Sequence, residues 1–341
     1  MLSFESDYTT GATPKILKRL QEANLEATSG YGNDRYTRSA KEKIKKACGG
    51  KGIEVDLLVG GTQTNAVVIS TLLKDYEGVI AVDSGHINVH EAGAIEYTGH
   101  KVLTIEGKEG KLVASDLKKY LEKFYADSSY THMVIPGMVY ISYPTEYGTI
   151  YTKKELSDIY KICKTYKIPL FIDGARLGYG LMSKKSDMSI KDISKLSDVF
   201  YIGGTKVGAL FGEAVVFTKS NRPKNFVTSI KKRGALLAKG KILGIQFDTL
   251  FTNNLYFEIS RHAIEMAEEL KNVFKKKGYR FYIDSPTNQQ FIIVDKKKVA
   301  TLRKKVAFTW WGEYDNKRDI LRFVTSWSTT SEHIDELTKI L

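Results

Sequence analysis

The feature that most limits what this chain can fold into is a succession of short apolar runs, each closed by glycine or a polar residue. They fall at 55–59, 79–82, 101–105, 133–141, 169–172, 199–202 and 214–217. Helical patterns lie between them at 64–75, 87–98, 114–125, 152–166 and 189–196. Strands that alternate with helices predict an α/β domain with a largely parallel sheet. Ahead of them, residues 13–28 predict a helix capped by Thr13 with Pro14 at its first position, and a second helix covers 37–48.

Past about residue 250 the pattern changes. A long helical segment, 253–277, leads to candidate strands at 279–283, 290–294 and 320–325 and a closing helix from Ser331. The chain of 341 residues therefore divides into a large α/β domain, 13–250, and a smaller α+β domain, 251–341, which the segment 1–12 joins.

Composition excludes more than it assigns. The net charge of +13, from 52 basic and 39 acidic residues, raises the question of an acidic partner. The lysines, however, are spread over many amphipathic segments with no zinc-finger or RNA-binding motif beside them, so nucleic acid is not expected as a partner. Two cysteines, Cys48 and Cys163, lack metal-type spacing, so neither a metal site nor a disulfide framework is expected, and a reducing cytoplasm is the default. The opening MLSFESDYTTG has no apolar core of the secretory kind, and no run of 18 apolar residues is present, so no membrane is expected.

In an open α/β sheet, ligands gather where parallel strands end, so the polar residues just past each run matter most. After 55–59 come Gly60, Gly61, Thr62 and Gln63, opening a helix: small residues and a helix N-terminus suit a phosphate, although an ordinary capped turn would look the same. After 79–82 comes His86, and after 169–172 comes Asp173, a carboxylate that needs a partner if buried. After 199–202 come Thr205 and Lys206, the only charge between Asp198 and Glu213 in a chain rich in lysine. Apolar surroundings favour the neutral amine, which can form a Schiff base with a carbonyl. Pyridoxal phosphate needs such a lysine, a carboxylate for its pyridine nitrogen, a phosphate cup and a stacking ring. Lys206, Asp173, the Gly61 turn and His86 supply one each.

The segments HINVHEAGAIEYTGHKV (86–102), YPTEYGTIYTKKEL (143–156), DGARLGYGL (173–181), GGTKVGALFGEAVVF (203–217) and RFVTSWSTT (322–330) carry a resemblance to the threonine aldolase and β-eliminating lyase family of pyridoxal phosphate enzymes. The resemblance runs in order from about Phe4 to the C-terminus. It implies the fold type I, aspartate aminotransferase-like architecture and a homodimer or homotetramer with active sites at the subunit interface. It further implies that Lys206 carries the cofactor, Asp173 faces the pyridinium nitrogen, His86 stacks on the ring, and Gly61, Thr62 and Gln63 hold the phosphate with Thr205. Ser6, Arg176 and Arg322 match groups that hold the substrate α-carboxylate, a geometry that suits an arginine fork. Arg233, or less closely Lys239, matches a basic residue reaching the neighbouring subunit's phosphate; a solvated helix charge would read the same.

The implied reaction is cleavage of a β-hydroxy-L-amino acid (threonine, allo-threonine or a phenylserine-like substrate) to glycine and an aldehyde, with β-elimination or transamination as the alternatives. His86 and Glu91 are the candidate bases for the β-hydroxyl proton. One departure bears on substrate choice. Threonine aldolases of low specificity carry a histidine in the segment matching 142–148, and here Ser142 to Gly148 contains none.

Overall fold

A computed structural model describes residues 2–341. Seven strands form the main sheet: Glu54–Leu58 (β1), Glu77–Val82 (β2), Val102–Ile105 (β3), Ile135–Ser142 (β4), Leu170–Asp173 (β5), Val199–Gly203 (β6) and Glu213–Phe217 (β7). Their order across the sheet is β1-β7-β6-β5-β4-β2-β3. All neighbours are parallel except that β7 runs against both β1 and β6.

Both faces of this sheet are apolar, which is why the strands read as continuous runs instead of alternating ones. Successive residues point to opposite faces. Val139, Ile141, Ile172, Phe200 and Val216 therefore enter one buried cluster, while Met138, Tyr140, Phe171, Tyr201 and Val215 enter another. Both faces are covered, which leaves the ends of the strands as the place where a ligand can meet the sheet.

The C-terminal part holds a four-stranded antiparallel sheet of Arg280–Ile283 (β8), Gln289–Asp295 (β9), Thr309–Asp315 (β10) and Arg318–Val324 (β11), ordered β10-β11-β9-β8. The helix Leu255–Lys276 leads into it. The N-terminal residues Leu2–Ser3 pair with Val306–Ala307, and Phe4 packs into the same core as Leu321 and Phe323.

Three expectations shift. The helix expected over 87–98 is a single turn, His86–Val89, followed by a short 3-10 turn at Glu96–Thr98, because Ala92 and Gly93 both take positive φ and break the helical path. Residues 13–28 are helical only over Pro14–Glu22, and Thr13 caps by position without a side-chain hydrogen bond. The strand Thr309–Asp315 carries no strict period-2 pattern, since none of its residues is fully buried, and it was not expected from the sequence.

Candidate active site

The ends of β1, β4, β5 and β6 converge on a cavity of about 300 Å3. Its wall includes Gly60, Gly61, Thr62, His86, Asp173, Arg176, Thr205 and Lys206, so eight of the residues singled out by strand-end position or motif meet in one place. Two glycines set how closely the strand ends approach. A Cβ at Gly174 would lie 1.9 Å from the Tyr201 carbonyl oxygen, and one at Gly203 would lie 2.1 Å from that of Ala175. Backbone sits on backbone there, and the Gly203 N–H donates to the Gly174 carbonyl at 2.9 Å.

Asp173 is buried, and every acceptor position on its carboxylate is used. Oδ1 accepts from Tyr201 Oη at 2.5 Å and from the Ala175 N–H at 3.0 Å. Oδ2 accepts from Tyr140 Oη at 2.6 Å and from Asn65 Nδ2 at 3.2 Å. Burial alone would raise its pKa, but the charge of His86 and the tyrosine donors outweigh that and hold it below the ordinary value. The site therefore presents a fixed anion.

His86 lies 2.7 Å through Nδ1 from Glu91 Oε1, and Asn65 Nδ2 also donates to that oxygen at 2.7 Å. Burial lowers the imidazole pKa, while the Glu91 hydrogen bond and the Asp173 charge raise it; the net direction is upward. Glu91 is buried behind the ring and does not line the cavity, so it faces His86 and not the space a substrate would fill.

Lys206 lies beside this anion. Burial and then the nearby Arg176 charge push its ammonium down to about 8, which makes the neutral amine accessible near neutral pH. Its Nζ sits 5.9 Å from the ring centre of Tyr8.

The carboxylate-binding group is arranged less simply than the motif implied. Arg176 lines the cavity but is clamped by Asp7, with Nε to Oδ2 at 2.6 Å and Nη2 to Oδ1 at 3.0 Å. Arg322 comes from β11, where Nη1 donates to Gln289 Oε1 at 3.1 Å and Nη2 to Thr309 Oγ1 at 3.2 Å, and its buried Nε has no partner. Burial and then the charge of Arg176 lower its pKa to about 10. The Arg176 charge is balanced by Asp7, which raises the Arg176 pKa against the lowering effect of burial, and Arg322 itself does not line the cavity. Ser6 is buried beside Asp7, 3.4 Å from Oδ1, and does not line the cavity. Neither does Gln63, which donates to the Arg233 carbonyl at 3.2 Å. The Arg233 side chain reaches Ser70 Oγ of its own chain at 3.0 Å, while Lys239 is exposed.

Sequence reasoning missed three acids. Asp7 is the partner of Arg176. Glu146 lines the cavity from the 142–148 segment; its Oε1 accepts from Ser142 Oγ at 2.6 Å and from the His86 N–H at 3.0 Å, and its Oε2 has no partner. Glu213, at the start of β7, also lines it. A carboxylate inside one of the quoted motifs was the available signal for the last two.

The residues present fit pyridoxal phosphate. The helix Gly61–Leu72 starts at the cavity with Gly60 as its cap and no side chain capping its first amides, which leaves N–H groups for a phosphate. The fixed anion and the low-pKa lysine stand on the same wall. Fold and site together define a fold type I pyridoxal phosphate enzyme.

Comparison with known proteins agrees. The Beta-eliminating lyase family profile matches residues 3–297. The fold superposes on a threonine aldolase from Leishmania major with a TM-score of 0.96 and 40% identity, covering 100% of this chain and 98% of that one. A low-specificity L-threonine aldolase from a Pseudomonas species is 27% identical over 98% of this chain and 95% of its own length. A mutant aspartate aminotransferase from Thermus thermophilus shares the fold at a TM-score of 0.70 and 13% identity, over 100% of this chain and 96% of that one. The chain belongs to the beta-eliminating lyase family.

Proposed function

We propose that the protein cleaves the Cα–Cβ bond of a β-hydroxy-L-amino acid, such as threonine, allo-threonine or a phenylserine-like substrate, to give glycine and an aldehyde. The observation that carries this is the pairing, on one cavity wall, of a lysine whose ammonium is lowered to about 8 with an aspartate held as an anion by four donors. The threonine aldolases among the relatives supply the substrate class.

Bound at this site, pyridoxal phosphate supplies an electron sink for the bond broken at Cα. Lys206 offers its neutral amine to hold the cofactor. Asp173 keeps a negative charge where the ring nitrogen needs a proton. The amides of Gly61 and Thr62 would receive the phosphate, whereas the Thr205 hydroxyl donates to Glu213 and its N–H to the Gly212 carbonyl. Arg176 and Arg322 would bind the substrate carboxylate, and fixing that group would orient the bonds at Cα towards the cofactor. His86 would contact the bound cofactor, with Glu91 setting the orientation of the imidazole through Nδ1. The proton of the β-hydroxyl goes to His86 or to the free Oε2 of Glu146, which stands in the segment that lacks the family's histidine.

The chain acts as a homodimer or a tetramer of dimers, with Arg233 or Lys239 serving the neighbouring site. Large apolar side chains left in solvent, Leu25 at 95% and Tyr97 at 90% exposure, support a covered surface. Among the described residues no helix is long and apolar enough to cross a membrane. Both cysteines are buried and unpaired, which fits a reducing cytoplasm.

A product assay on a panel of β-hydroxy amino acids tests this function, with Lys206→Ala as the control. Glycine and the matching aldehyde are expected from the native protein, and neither turnover nor a borohydride-fixed cofactor from the folded variant. The 2-oxo acid of unchanged carbon number (2-oxobutyrate from threonine) and ammonia in place of glycine would overturn the assignment in favour of β-elimination.

A further inference from the structure

The mechanism leaves one fully buried acid of the cavity without a task. Glu213 opens β7 opposite Gly203 of β6 and Leu58 of β1. Because β7 runs against its neighbours, its first residue arrives at the edge where the parallel strands end. Glu213 is 3% exposed. Its Oε1 accepts from Thr205 Oγ1 at 2.8 Å, and Oε2 is buried without a partner.

The cavity wall that holds Glu213 also holds Gly60, Gly61 and Thr62, the start of the helix whose first amides have no side-chain cap. An ionised carboxylate beside that turn would repel a phosphate dianion and cancel much of what the helix N-terminus contributes. A neutral carboxylic acid would instead add a donor. Oε2, which no group of the chain engages, is the position such a donor would use.

We infer that Glu213 is held as the neutral acid and donates Oε2–H to the phosphate group of the bound cofactor, acting as a protonated member of the phosphate cup. This rests on pyridoxal phosphate being the cofactor. No proton leaves the site when the phosphate docks; the acid keeps its proton and shares it in a hydrogen bond. The groups facing Glu213 are Lys206 from the loop after β6, Asp173 from β5, Tyr201 from β6 and Tyr256 from the helix Leu255–Lys276. Burial raises its pKa to about 8, against the opposing pull of the Thr205 hydrogen bond and the Lys206 charge, and the Asp173 anion adds to the rise. The rise favours the neutral acid at pH 7.

The test compares pyridoxal phosphate with unphosphorylated pyridoxal. Both aldehydes attach to Lys206 and both feel its titration, so the ratio of their affinities isolates the phosphate contact. The cofactor is removed by dialysis, and binding is followed by absorbance. For the native protein the preference for the phosphorylated form should fall towards tenfold per pH unit above about pH 8, as Glu213 ionises against a phosphate that is already a dianion. Glu213→Gln keeps a donor and cannot titrate, so its ratio should stay flat between about pH 7 and pH 9.5. Glu213→Ala should lower the ratio at pH 7 by roughly tenfold, the loss of one hydrogen bond to a charged group. A flat ratio in the native protein, or a Gln variant that follows the native curve, would overturn the role of Glu213. If neither aldehyde can be fixed on native Lys206 by borohydride, the cofactor assignment itself fails, which is a separate result.

Discussion

Asp173 and Glu213 are both buried carboxylates at one sheet edge, within the field of the same lysine, yet they are solvated by the protein in opposite ways. Asp173 has four donors for its two oxygens, and its pKa falls in spite of burial. Glu213 has one side-chain donor on one oxygen and nothing on the other, and its pKa rises to about 8. Burial is common to both; the number of donors decides the charge. The fully bonded acid is built to stay ionised whatever binds, and the half-bonded one is left with an oxygen for something that is not part of the chain. Asp7 belongs with Asp173, since the Arg176 fork occupies both its oxygens and Asn288 Nδ2 adds a third donor at 2.9 Å.

The contrast can be broken most directly at Asp173. Asp173→Asn keeps the shape but removes the anion and turns part of the group into a donor facing donors. Turnover should fall by about a hundred- to a thousandfold. A variant within tenfold of the native rate would show that the fixed charge is not what the four donors maintain.

Next in size is Asp7→Asn, which leaves the buried Arg176 fork without its counter-charge. A loss of about 3 kcal/mol in urea unfolding at pH 7 is expected. The folded pKa of Asp7 lies below the ordinary carboxylate value, because the charges of Arg176 and Lys206 overcome the upward effect of burial. Its stabilisation is therefore fully present above that ordinary value and is lost as pH falls through the lowered folded one, where the two proteins should converge. A gap that stays constant into acid would remove the ion pair as its cause.

The smallest effect is at Tyr201→Phe, which deletes one of four donors to Asp173 without deleting its charge. About 2 kcal/mol of stability should be lost, the worth of one hydrogen bond to a charged group. Thermal unfolding measures it, and a loss comparable to that of Asp7→Asn would mean that the donors are not shared as evenly as their number implies.

Much of this site could be read from the residues following apolar runs. The rule works for β1, β2, β5 and β6 because parallel strands all end at one edge, and it found Gly61, His86, Asp173, Thr205 and Lys206. It fails for Glu213 for a topological reason: β7 is antiparallel, so its contribution to that edge precedes the run, and nothing local in the sequence tells strand direction. Asp7 was hidden differently, since its partner Arg176 is 169 residues away along the chain. Glu146 stands in the 142–148 segment, where the missing histidine is the more visible departure and a single acid beside a proline turn carries no local signal of burial. In the small sheet, β10 escaped because TWWGEYD packs no fully buried face, so no period appears in it.

The contacts at Gly174 and Gly203 have a wider effect than keeping two strand ends close. Gly174 follows the strand that delivers Asp173 and lies against the Tyr201 carbonyl of β6, and Gly203 ends the strand that leads to Lys206 and lies against the Ala175 carbonyl after β5. The gap between acid and amine is thus gauged by peptide units, whose dimensions are the same in every protein. A side chain at either glycine would have to force these main-chain atoms apart, and with them the strand ends that carry the acid and the amine.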